Sequence, residues 1–83
     1  MGEIPPEGTE ARLHWLVAQA EVAYSRMYGA EFGASCTGHY SDAKEFLYDA
    51  IGLAQRLGKQ EEADGLTRRL AHIKAVFRGQ FSS

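Results

Sequence analysis

The stretch Ala43–Phe77, AKEFLYDAIGLAQRLGKQEEADGLTRRLAHIKAVF, decides the fold. Its first half places Ala43, Phe46, Leu47, Ala50, Ile51, Ala54 and Leu57 at spacings of three and four, one face of an α-helix. Gly58 follows directly, where a helix that ends in the left-handed conformation wants a residue without a Cβ. Acidic Glu61, Glu62 and Asp64 then crowd the start of a second periodic segment, which suits the positive end of a helix dipole. Ala63, Leu66, Leu70, Ile73 and Phe77 continue that segment with 3–4 alternation. A connection this short makes the two helices antiparallel neighbours.

Working outward toward the N-terminus, Ser41 reads as the cap of the first of these helices, with Asp42 and Glu45 in its opening turns. The segment Gly29–His39, GAEFGASCTGH, holds three glycines and small polar residues and is expected to be a loop. Before it, Leu13, Leu16, Val17, Ala20, Tyr24, Met27 and Tyr28 mark another helix, capped by Thr9 with Glu10 in its first turn. A second stripe, Trp15, Ala18 and Val22, lies beside the first, so this helix is apolar over a wide arc. The expectation is an all-α three-helix bundle with helices at about 10–28, 41–57 and 60–78. A flexible proline-bearing lead is expected over 1–8, one helical domain over 9–79 and a frayed tail over 80–83.

Length and composition narrow the function classes. A chain of 83 residues makes one domain with a modest core, which leaves little room for a deep, dry active site. No apolar run is long enough to span a membrane, and the acidic start lacks the features of a secretory signal. The single cysteine forms no internal disulfide, so a reducing, cytoplasmic setting is the expectation. Charge is unevenly spread: after Leu66 there are no acids, only Arg68, Arg69, Lys74 and Arg78.

Two resemblances arise at the hairpin. Gly38, Tyr40, Ala43, Leu47 and Ala50 resemble the small–aromatic–alanine spacing of a tetratricopeptide-like helical hairpin, with Gly58, Ala63 and Leu70 as an echo. The likeness covers about half the chain, while a stable array of such repeats needs about three of them. Leu53-Ala54-Gln55-Arg56-Leu57-Gly58 is similar to the end of the first helix and the turn of a helix-turn-helix DNA-binding motif. There the following helix should meet phosphates, yet Glu61, Glu62 and Asp64 would repel them.

Few residues invite chemistry. Cys36 and His39 have a Cys-x-x-His spacing that a thiolate nucleophile or half a metal site would use. A closed zinc site wants four ligands, and His14 and His72 stand far away on other helices, so an ordinary loop cysteine is the reading adopted. His14 is explained by Glu10 four residues before it. Asp42, Glu45 and Asp49 read as a solvated face, and no catalytic residue, metal site or cofactor is assigned. The aromatics carry more weight, because nine of them exceed what a small core hides. The chain is therefore expected to be a non-enzymatic interaction domain that self-associates or binds a partner protein. Its contact residues would be Trp15, Val22, Tyr48, Phe77 and Phe81. The alternative is a nucleic-acid-associated accessory protein with an anion patch of Arg68, Arg69, His72, Lys74 and Arg78.

Overall fold

A computed structural model describes the backbone of residues 3–29 and 34–81 and the side chains of residues 3–27 and 37–79. Three helices account for nearly all of it: α1 (Glu10–Gly29), α2 (Ala34–Arg56) and α3 (Gln60–Phe81). The fold is the expected all-α three-helix bundle, with α2 packed along both α1 and α3. The bundle is flattened, its Cα envelope measuring 39 × 30 × 13 Å.

Local chemistry sets the helix ends. The Thr9 hydroxyl accepts from the Arg12 amide at 3.1 Å, and the Leu13 amide donates to the Thr9 carbonyl, which caps α1 as its sequence implies. The same hydroxyl donates to the Pro6 carbonyl at 2.7 Å, and the Arg12 guanidinium donates to the Pro5 carbonyl at 3.0 Å. Residues Pro5 and Pro6 are thereby tied to the first turn. At the hairpin, the Lys59 amide donates to the Ala54 carbonyl at 2.8 Å and the Gly58 amide to the Gln55 carbonyl at 3.1 Å. With Gly58 at φ +75°, this is a Schellman ending, and it reverses the chain in three residues.

Two boundaries differ from expectation. Helix α2 begins at Ala34 instead of near residue 41, so Ser41 lies inside the helix and does not cap it. Much of the expected 29–39 loop is helical, and 30–33 lie outside the described residues. Glycine and small polar residues are weak helix formers, but packing overrides propensity. The added turns carry Tyr40, whose ring stacks on Phe77 of α3 at 3.9 Å with planes 5° apart. Helix α3 likewise runs on to Phe81, because Gly79 keeps a negative φ and does not act as a left-handed cap.

The core falls in two connected groups. Leu13 and Leu16 of α1 meet Ala50, Leu53 and Ala54 of α2 and Ala63 of α3 near one end. Ala20, Leu47, Leu70 and Ile73 meet farther along, with Phe46, Ile51 and Leu66 packed against both groups. Six alanines among the described residues, Ala20, Ala23, Ala43, Ala50, Ala54 and Ala63, are buried, and small side chains let helices approach closely.

Candidate functional site

The ionisable side chains decide what chemistry the molecule can support. Among the described residues no charged or polar side chain is buried. The resolved pKa shifts come from pairing at the surface. A hydrogen bond from Lys59 at 2.8 Å, and then its charge, hold Glu10 below the usual carboxylate range and raise Lys59 in return. Tyr48 is lowered by the hydrogen bond that Lys74 donates to its hydroxyl at 2.8 Å. Both pairs are solvent-exposed and lack the burial that drives the two groups of a carboxylate dyad apart. No group of three His, Cys, Asp or Glu residues gathers to hold a metal among the described residues.

Two of the depressions among the described residues lie between helices. One is a polar cleft of about 230 Å³ where Glu7, Gly8, Arg12 and Leu16 face Tyr48, Asp49, Gly52 and Arg56. Its two acids and two arginines balance, and it is smaller than the roughly 300–1,000 Å³ of typical small-molecule sites. The other is an open groove of about 490 Å³ between α1 and α3, lined by His14, Val17, Ala18, Glu62, Gly65 and Leu66. Its surface is almost wholly apolar, with His14 and Glu62 at the rim. It arises because α1 and α3 run parallel on either side of α2 and approach each other less closely than they approach α2. Polar clamps hold them at this spacing. Glu10 pairs with Lys59, and Arg69 donates to both Glu21 oxygens, at 2.8 and 2.6 Å, with its guanidinium 4.8 Å from the Tyr24 ring centre.

The expected contact residues separate. Val22 and Tyr48 are exposed, at 42% and 52%. Val22 stands one turn beyond Ala18 on α1, next to the groove's lining and outside it. Tyr48 belongs to α2, where its ring and hydroxyl receive Lys74. Trp15 is half-buried, meeting Phe46 edge to face at 5.9 Å beneath the Arg12 guanidinium at 5.1 Å. Phe77 is half-buried against Tyr40. Both aromatics thus contribute to the fold's own packing. The side chains of Phe81 and Cys36 lie outside the described residues.

The expected anion patch is divided as well. Arg69 is engaged by Glu21 and Tyr24, and Lys74 by Tyr48. Arg68 and His72, four apart, share one exposed face of α3, whereas Lys74 and Arg78 share another. The four do not converge on one anion-sized spot.

Sequence reasoning missed the groove as a unit. Half its signal was present: the Trp15–Ala18–Val22 stripe marks the second apolar arc of α1, and Gly65 interrupts a strongly periodic helix. What it lacked was which neighbour each arc faces.

Comparison with known proteins found no matching family model, no matching curated protein and no matching solved structure.

Proposed function

We propose that this chain is a non-enzymatic protein-interaction domain that docks another polypeptide in the groove between α1 and α3. The observation that carries this reading is the groove's makeup: an open apolar strip of Val17, Ala18, Gly65 and Leu66, with His14 and Glu62 beside it and exposed Val22 one turn further along α1. Apolar centres with polar rims are the anatomy of protein interfaces. Small residues along the strip, Ala18 and Gly65, leave room for an incoming helix. Nucleic-acid binding is the weaker reading, because the basic residues of α3 are split between two faces and two of them are already paired.

The test is site-specific photo-cross-linking. A photoreactive side chain in place of Val22 is expected to cross-link to a polypeptide, in purified protein or in host lysate. The same group at Glu45, exposed on α2, is expected to give none. Absence of cross-linking at Val22 in both settings, or equal cross-linking at both positions, contradicts the proposal.

A further inference from the structure

Helix α3 carries a charge pattern that is its own complement about Gly65. Glu62 stands three residues before this glycine and Arg68 three after; Glu61 stands four before and Arg69 four after. Two such helices crossing antiparallel at Gly65 bring the Glu62 of each toward the Arg68 of the other, and their dipoles oppose favourably. The glycine itself has no explanation within the chain. Its φ is not left-handed, and a Cβ added there would meet only the Arg68 Nη2 atom, at an ordinary 4.0 Å. A glycine inside a helix weakens it relative to alanine, and what it offers in return is close approach of a second backbone. Gly65 lies in the apolar groove, where such an approach is open.

Resting on the interaction-domain reading, we infer that the groove's occupant is a second copy of this chain, packed about a two-fold axis at Gly65 with the two α3 helices antiparallel. Glu62 then faces the partner's Arg68, and Arg68 faces the partner's Glu62, so one contact is made twice, as an isologous interface requires. Glu62 and Arg68 are both exposed, and the closest charge recorded for Glu62 is Lys59 at 4.0 Å, a cation already 2.8 Å from Glu10. Val17, Ala18 and Val22 supply the apolar flank. The Arg69–Glu21 clamp stays intact within each copy and sets the groove's width.

Sedimentation equilibrium of the full chain, from micromolar to millimolar concentration, tests this. The wild type is expected to pass from one chain mass of 9.2 kDa to two. Glu62→Arg or Arg68→Glu alone places like charges together at two symmetric positions and is expected to weaken association about tenfold. The double variant E62R/R68E is expected to restore it. Gly65→Gln fills the crossing point with a better helix former and is expected to abolish dimers while helicity and melting temperature hold or rise. A single-chain mass throughout, or a double variant no better than its parents, overturns the inference. A monomer whose Val22 photoprobe cross-links only to a foreign polypeptide overturns it while leaving the interaction reading intact. A monomer with no cross-linking in either setting ends both.

Discussion

Arg69 is held from two directions, its guanidinium forking onto both oxygens of Glu21 while its plane lies near the Tyr24 ring. The pair joins α1 to α3 across 48 residues of sequence, with both side chains partly exposed, at 36% and 42%. Solvent screening keeps such a pair modest. A lysine keeps the charge but loses the bidentate fork and much of the stacking. Arg69→Lys is therefore expected to lower stability by about 0.5–1 kcal/mol, discounted for exposure, with a reduced urea midpoint and an unchanged slope. An unchanged midpoint would mean that the clamp holds nothing together. The sequence shows five basic or protonatable residues after Leu66 and suggests a patch. It does not show that one is claimed by Glu21 and another by Tyr48, because those partners come from other helices.

At the scale of elements, the hairpin was the most legible part of the chain. Leu57-Gly58 announced a left-handed ending, and the structure places Gly58 at φ +75° with both Schellman hydrogen bonds made. Nothing lies within 4 Å of a Cβ built at Gly58, so any cost of a side chain there is backbone strain alone. Gly58→Ala is expected to destabilise the fold by about 1 kcal/mol, which lowers the melting temperature by about 4–8 °C in a domain of this size. A melting temperature equal to wild type would contradict the strained turn. Thr9 was legible for the same reason: its hydroxyl acts on the amide three residues away, within the reach of local sequence. The start of α2 was not legible. Residues 34–40 have low helix propensity, and what favours their helical form is the stacking of Tyr40 on Phe77 from the far end of α3.

For the whole molecule, periodicity revealed that three helices bury apolar faces, and the buried set Leu13, Leu47, Ala50, Leu70 and Ile73 falls where the 3–4 spacing puts it. The extra apolar arc of α1 was also visible, but its two ends meet different fates. Trp15 turns into an aromatic contact with Phe46, while Ala18 lines the groove and Val22 stays exposed. What separates those outcomes is the neighbour each residue faces: Trp15 meets α2, and Ala18 the gap between α1 and α3 that the Glu10–Lys59 and Glu21–Arg69 pairs span. The Glu10 pairing adds stability above the ordinary carboxylate pKa, and this is lost as pH falls through the lowered value; at so exposed a site the contribution is small.

A concentration series of amide NMR spectra is the sharpest test of the proposal that two copies of this chain meet at the groove between α1 and α3. Raising the protein concentration is expected to shift the amides of Val17, Ala18, Val22, Gly65 and Leu66 together along one binding curve, while Asp42 and Glu45 on α2 stay fixed. Shifts confined to α2, or spectra unchanged from micromolar to millimolar protein, would contradict it.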